Sequence, residues 1–215
     1  MISFTSFSIL FNISNSDAHS PAKIAREANI FNTDLTYKAI KNAIIEGNKS
    51  KFLGTIEFFP EERKYHFDGH RVCKARMPPK DTKNNDNLCP VCRKKVTIGV
   101  MHRVDLLADR EEGFKPKNSP TFKCLIPLAE IISEAIEVGV NSKAVQREYM
   151  KPVSALGNEM KILQDENIEK IKSVSSSKIG DGIERVRKGN ISINPGYDGE
   201  YGTIKVFGSD EKKKR

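Results

Sequence analysis

The spacing of apolar residues predicts a helical C-terminal half. Between residues 125 and 138, apolar side chains recur at intervals of three and four, the period of one buried helix face. Further helices are predicted from Ser142 to Pro152, where proline ends or kinks the helix, at 158–163 or 167–174, and at 177–188. Together they predict a small helical domain.

The N-terminal half mixes strand and helix patterns. Strands are predicted at 2–13, 51–60, 65–70 and 96–100, and two more near the C-terminus at 191–194 and 203–207. Helices are predicted at 21–28, with Ser20 as N-cap, and at 36–46, ended by Gly47. The loop-like segment 114–122 is a predicted hinge between the halves, and the fold class is therefore α+β.

The charge indicates a polyanionic partner. The chain has 215 residues, a net charge of +8 and a pI near 9.2, and nucleic acid is the commonest intracellular polyanion. Between residues 70 and 95 there are eight Lys or Arg and two Asp, so much of the excess charge lies there. No segment is apolar over the roughly 18 residues of a membrane helix, so no membrane contact is expected.

Two short motifs in this basic segment have the spacing of a metal site. His70 and Cys73 are separated by two residues, as are Cys89 and Cys92, which gives the ligand number of a closed tetrahedral zinc site. His66 could replace His70 as the fourth ligand, and the cysteines could instead be small buried apolar residues. Unpaired cysteines in a metal spacing favour a reducing compartment, and we expect a cytoplasmic protein.

Basic and aromatic residues near these motifs are candidate DNA contacts. They are Arg71, Lys74, Arg76, Arg93 and Lys94 around the motifs, with Tyr197 and Tyr201 in a Gly-rich loop or hairpin near the C-terminus. An exposed tyrosine beside glycine can stack on a base, although such clusters are also ordinary turns. An isolated His102 is more typical of a structural role.

Asp17 and His19 form a further candidate pair. Separated by one residue in an extended segment, they would project to the same side and offer one carboxylate and one imidazole to a metal. The same tripeptide is also common in turns.

Several strings, in order along the chain, resemble the endonuclease Q family of DNA repair nucleases. They are SNSDAHSP, REAN, FLGTIEFFPEERKYHFDGH, CPVC, TIGVMHRVDLLADR and PGYDGEYGTIKVF. The resemblance implies the C-terminal remnant of a metallophosphoesterase-type (PHP) α/β barrel at 1–50, a zinc-binding domain at 51–112, a helical domain at 121–208 and a charged tail at 209–215. It implies nicking of DNA on the 5′ side of deaminated bases or at abasic sites. It also implies that Asp17 and His19 belong to a catalytic cluster of Mn²⁺, Mg²⁺ or Zn²⁺, while His70, Cys73, Cys89 and Cys92 hold structural zinc.

The sequence departs from the family pattern at its start. The His-rich motifs of the early barrel strands are missing from these residues, and two ligands cannot hold a two- or three-metal cluster. We therefore expect the polypeptide to be N-terminally truncated, inactive alone, and completed by a separately encoded barrel half. The alternatives are a non-catalytic zinc-dependent DNA-binding module and a helicase-associated segment, although there is no phosphate-binding loop for ATP.

Overall fold

The computed structural model describes residues 13–115 and 119–208. Its chain divides into two units, the first comprising residues up to Cys124 together with Asn194–Thr203, and the second comprising Leu125–Ile193 and the residues from Ile204 onwards. Most of the predicted strand at 2–13, the residues 116–118 of the predicted hinge, and the charged tail at 209–215 lie outside the described residues.

A three-stranded sheet forms one part of the first unit. Strand β1 (Ala28–Phe31) pairs antiparallel with β2 (Phe52–Glu57), which pairs in parallel with β5 (Thr121–Cys124). Helix α1 (Tyr37–Glu46) connects β1 to β2. It begins as the sequence predicts, with the Thr36 side chain accepting a hydrogen bond from Ala39 N–H, and ends at Gly47 in the left-handed region, at φ 57°.

The helix predicted at 21–28 is wrong. Only Pro21–Lys23 forms a short 3₁₀ turn, and Ser20 makes no side-chain cap to it. Ala28 instead begins β1, where it pairs with Ile56. The hydrogen bonds of this ladder outweigh the local helix preference of the alanines.

The rest of the first unit is built from short elements. They are a 3₁₀ turn at Pro60–Glu62, β3 (Asp68–His70), a 3₁₀ turn at Arg71–Cys73, β4 (Ala75–Met77), α2 (Pro79–Asn84) and α3 (Val100–Leu107). Strands β3 and β4 form an antiparallel hairpin. The strand predicted at 96–100 is wrong, because Thr97 makes only an isolated bridge to Gly69 and α3 begins at Val100.

The second unit is helical, as predicted. Its helices are α4 (Leu128–Ile136), α5 (Lys143–Leu156), α6 (Glu159–Gln164), α7 (Ile168–Val174) and α8 (Ser177–Lys188). Its core consists of aliphatic side chains, each at most 3% exposed: Leu128, Ile131, Ile132, Val145, Ile162, Leu163, Ile171, Ile179 and Ile183. Pro152 does not end α5, which continues to Leu156. Burial of its ring offsets the missing backbone hydrogen bond.

Strands β6 (Ser192–Asn194) and β7 (Thr203–Lys205) form a two-stranded sheet, through which the chain passes from the second unit to the first and back. The predicted strand at 203–207 thus ends two residues early. The architecture is mixed α+β, as predicted. Within the described part of the chain, no helix is both long enough and apolar enough to cross a membrane.

Candidate metal centre and basic surface

The first of two matching turns, residues 70–75, lies at the tip of the β3–β4 hairpin. His70 pairs with Ala75 across the hairpin. The backbone between them is closed by a 2.9 Å hydrogen bond from Lys74 N–H to Arg71 O, and Lys74 is left-handed at φ 52°. The turn therefore carries His70 and Cys73 on one tight, internally bonded loop.

The second turn, residues 89–94, repeats this design. Cys89 N–H donates to Lys94 O at 2.7 Å, and Arg93 N–H donates back to Cys89 O at 2.9 Å. Arg93, like Lys74, follows the second potential ligand of its turn and is left-handed, at φ 57°. Two segments, H-R-V-C-K and C-P-V-C-R, thus each close a short hydrogen-bonded turn around a ligand pair and end on a left-handed basic residue.

The two turns bring four potential ligands together. One ligand atom from each of His70, Cys73, Cys89 and Cys92 lies within 4.8 Å of the other three. Cys89 is fully buried, and Cys92 Sγ lies 3.4 Å from His70 Nδ1. Sulfur atoms around a tetrahedral zinc ion are about 3.8 Å apart, given Zn–S bonds of about 2.3 Å. The donor set, called the His/Cys cluster below, therefore fits a metal ion.

The pKa values of two thiols in the His/Cys cluster are shifted in opposite directions. Burial acts to raise the pKa of Cys89, but hydrogen bonds from the backbone N–H groups of Cys92 and Val91 outweigh it and lower the pKa to about 7. The neighbouring Cys92 thiol, together with burial, raises the pKa of Cys73 to about 11. Cys89 therefore ionises more readily than an ordinary thiol and Cys73 less readily. A divalent cation would stabilise the thiolate form of each.

Of the two candidate histidines, His70 is the one whose ring lies with the three sulfurs. His66 is 8% exposed, and its ring lies 4.9 Å from that of Phe67. Burial lowers the pKa of His66, which favours a neutral ring in that apolar position.

A buried carboxylate that sequence reasoning missed anchors the strand leading to His70. Asp68 is 0% exposed, and accepts hydrogen bonds from Gly99 N–H at 2.6 Å and from His102 Nδ1 at 2.7 Å. His102 is itself buried, so its role is structural, as its sequence context indicates. Asp68 thereby fixes the start of α3 against β3.

The Gly/Tyr loop, residues 195–202, packs against the same hairpin. Its Tyr197 is only 9% exposed, and a Cβ added at Gly69 would lie 2.3 Å from Tyr197 Cδ2. Phe67 N–H donates to Gly196 O at 3.0 Å. The predicted exposed position of Tyr197 is therefore wrong, because its ring fills the space over Gly69 and cannot stack on a base.

Asp198 joins this loop to the first turn. Its carboxylate accepts hydrogen bonds from Arg71 N–H and from Thr97 Oγ1, each at 2.5 Å. Tyr201, in contrast, is 70% exposed, with Lys64 Nζ 4.6 Å from its ring centroid. Of the two predicted tyrosines, only Tyr201 presents its ring to solvent.

The predicted basic contacts surround the His/Cys cluster. Arg71, Lys74, Arg93 and Lys94 are exposed. Arg76 is also exposed, but its guanidinium is hydrogen-bonded to Asn194 Oδ1 and Pro195 O in the Gly/Tyr loop segment, so it serves partly to hold that loop.

Asp17 and His19 are both exposed, and His19 Nδ1 lies 2.8 Å from the backbone oxygen of Asp17. Within residues 13–115 and 119–208, the His/Cys cluster is the only group of three or more potential metal ligands. The described residues therefore bring no third ligand to this pair.

The chain is similar to a family model over part of its length and to two relatives over most of it. A family model described as the MJ0043 C-terminal domain matches residues 127–190, within the helical unit. The Methanocaldococcus jannaschii protein MJ0043 is 35% identical over 200 residues, which cover 89% of this chain and 25% of that protein. The Bacillus subtilis protein YqxK is 29% identical over 197 residues, covering 90% of this chain and 46% of that protein.

Two solved structures match 99% of the chain. One is the lesion-specific endonuclease PfuEndoQ from Pyrococcus furiosus, with a TM-score of 0.83 and 32% identity. The other is endonuclease Q in complex with a 27-mer duplex substrate with an abasic lesion at the active site, with a TM-score of 0.78 and 31% identity. The chain spans 53% of each of those proteins, about half their length.

Proposed function

We propose that this chain, which is similar to endonuclease Q over 99% of its length, is a DNA repair protein of that family. On this premise it binds duplex DNA through the basic surface around a zinc-holding His/Cys cluster. The observation that carries this proposal is the pair of matching turns, because they combine a four-ligand donor set with a concentration of cations.

The charge on these turns suits the phosphate backbone. Residues 70–76 and 89–95 contain six Lys or Arg and no Asp or Glu. Because these turns are short and internally hydrogen-bonded, their backbone loses little conformational freedom when the side-chain cations meet phosphates. One of the related solved structures is a complex with duplex DNA, which supports the same partner here.

The ion proposed for the His/Cys cluster is Zn²⁺, held by His70, Cys73, Cys89 and Cys92. Three sulfurs and one imidazole nitrogen are the ligands that zinc prefers in closed structural sites. The ion would supply no reaction there, since all four of its positions would be filled by protein. It would fix the two turns, and so the cations on them, relative to one another.

Hydrolysis is a separate matter from binding. Nicking on the 5′ side of deaminated bases or at abasic sites is proposed for the complete catalytic assembly, with Asp17 and His19 as two ligands of its Mn²⁺, Mg²⁺ or Zn²⁺ cluster. Activating water and stabilising the leaving oxygen takes two or three such metals. These 215 residues are therefore proposed to bind without cleaving, the other ligands being supplied from outside them, for example by a separate barrel polypeptide.

Fluorescence anisotropy with a labelled duplex carrying one abasic site tests the binding. The logarithm of affinity should fall linearly with the logarithm of salt, with a slope of about 0.9 for each phosphate neutralised. Replacing Arg93 and Lys94 by Ala should reduce this slope by about 2. Replacing Lys49, an exposed cation of the first unit outside the two turns, by Ala should leave it unchanged. Affinity that does not respond to salt contradicts the proposal.

Incubation of the same chain with a uracil-containing duplex and Mn²⁺ tests the absence of cleavage. The expected product is uncut DNA at every protein concentration that saturates binding. A nicking activity specific for the 5′ side of uracil that copurifies with the chain contradicts the proposed division between binding and hydrolysis.

A further inference from the structure

Each of the two matching turns presents an exposed valine at the same position. Val72 is 85% exposed and Val91 is 69% exposed, and each directly precedes a cysteine of the His/Cys cluster. Neither side chain contributes to the small core below, which Met77, Cys89 and Val96 form. Single exposed apolar side chains are common on protein surfaces, but these two occupy equivalent positions on two turns that one shared donor set brings together.

The surroundings of the valines are cationic. Lys74 and Arg93 each lie two residues after a valine, in the left-handed conformation that closes the turn. Because the four ligand atoms lie within 4.8 Å of one another, both turns meet at one point, and the valines are carried with them. The result is two apolar tips on rigid backbone among positive charges.

We propose that Val72 and Val91 form a wedge that enters duplex DNA at a base step opened by a missing base, while Lys74 and Arg93 bind the flanking phosphates. This inference rests on the proposed DNA binding and adds how the distorted site is recognised. Apolar side chains that enter a base step must unstack it, and the cost is lowest where a base is already absent.

The charge decides between DNA and a protein partner. The core of a protein interface is depleted of charged residues and needs a broad apolar patch. Here only two valines stand among six cations and no acids within residues 70–76 and 89–95. A polyanion with an apolar interior, which is an opened duplex, matches both features.

The test compares an abasic duplex with an intact duplex of the same sequence, each carrying 2-aminopurine beside the test position. Wild-type protein should raise the 2-aminopurine fluorescence of the abasic duplex and bind it more tightly than the intact one. The double variant Val72→Ser/Val91→Ser should weaken abasic binding about tenfold, change intact binding less than about twofold, and lose the fluorescence rise.

Two further variants make the result specific. Val72→Ile/Val91→Ile keeps the apolar tips and should retain both effects. Val100→Ser, at a third valine that is 58% exposed but outside the turns, should behave as wild type. If the serine variant loses metal, Val72→Thr/Val91→Thr, which preserves side-chain shape, replaces it.

The outcomes separate the two proposals. Wild-type protein that binds neither duplex overturns the proposed DNA binding itself. Wild-type protein that binds both, with an abasic preference that the serine or threonine variant leaves intact, overturns the wedge and leaves DNA binding standing. The wedge is supported if the isoleucine variant keeps the abasic preference of the wild-type protein while the serine or threonine variant loses it. The wedge is also overturned if Val72 and Val91 bind a protein and not DNA.

Discussion

Replacing Asp68 by Ala should destabilise the first unit strongly. The change removes the acceptor of two hydrogen bonds, from Gly99 N–H at 2.6 Å and from His102 Nδ1 at 2.7 Å. Asp68 is 0% exposed and His102 only 6%, so water cannot replace the lost partner. Each bond to a buried charged group contributes about 1.5–3 kcal/mol, so the loss of two predicts a decrease of about 3–6 kcal/mol in the free energy of unfolding.

Urea unfolding of the zinc-loaded protein measures this loss. The far-ultraviolet circular dichroism signal is dominated by the helical unit, so zinc release, followed with a colorimetric chelator, reports on the first unit. Because the chain has two units, each signal is fitted to its own transition. Asp68→Ala should move the zinc-release midpoint and leave the helical transition in place.

Asp105→Ala is the matched control for this change. Asp105 also pairs with a cation, Lys83, but the side chains are 45% and 46% exposed. An exposed pair of this kind contributes at most about 1 kcal/mol. If Asp68→Ala costs no more than Asp105→Ala, the argument that Asp68 anchors β3 to α3 is wrong.

Two further substitution experiments and one labelling experiment test other parts of the first unit. Replacing Cys89 and Cys92 together by Ser should abolish stoichiometric zinc in metal analysis and unfold the first unit, and a zinc-free protein that keeps its folded signal contradicts the structural role. Gly69→Ala should lower the free energy of unfolding in urea by roughly 2–3 kcal/mol, because the new Cβ would meet Tyr197 Cδ2 at 2.3 Å. In contrast, Tyr201→Ala should change stability by less than about 0.5 kcal/mol and weaken DNA binding. Burial, then Glu57 and Glu61, raises the pKa of Cys124 to about 11, so at pH 8 its thiolate is about a hundredfold scarcer than that of an ordinary thiol and iodoacetamide labelling, followed by mass spectrometry, should be correspondingly slow. Labelling should accelerate as pH rises toward that pKa, and a rate equal to that of a free thiol at pH 8 contradicts the shift.

The helices of the second unit were predictable because their signals are local. Ser142 caps α5 by accepting a hydrogen bond from Val145 N–H, three residues away, and Gly189 ends α8 in the left-handed region. Spacing in the sequence also indicated Cys73, Cys89 and Cys92 together with one histidine, since paired ligands at two-residue intervals occur within tight turns. The choice of His70 over His66 came from the structure, which places the His70 ring with the three sulfurs.

The errors arose where distant residues decide the structure. Residues 21–28 have helix-favouring alanines, but Ala28 pairs with Ile56 in β1. The supporting carboxylates were missed for the same reason, because Asp68 bonds Gly99 across 31 residues and Asp198 bonds Arg71 across 127. A single sequence contains no local signal for such pairings. Tyr197 was wrongly placed in solvent because its contact, Gly69, is equally remote in sequence.

The discontinuous course of the first unit sets the order in which the protein can be completed during synthesis. The Gly/Tyr loop, which supplies Tyr197 against Gly69 and Asp198 to Arg71 N–H, leaves the ribosome only after the whole of α4–α8 has been made. Until then the hairpin that carries His70 lacks its cover. A nascent chain interrupted anywhere in the helical unit therefore holds its cluster cysteines on an unfinished support, where they are open to oxidation until the Gly/Tyr loop has been made.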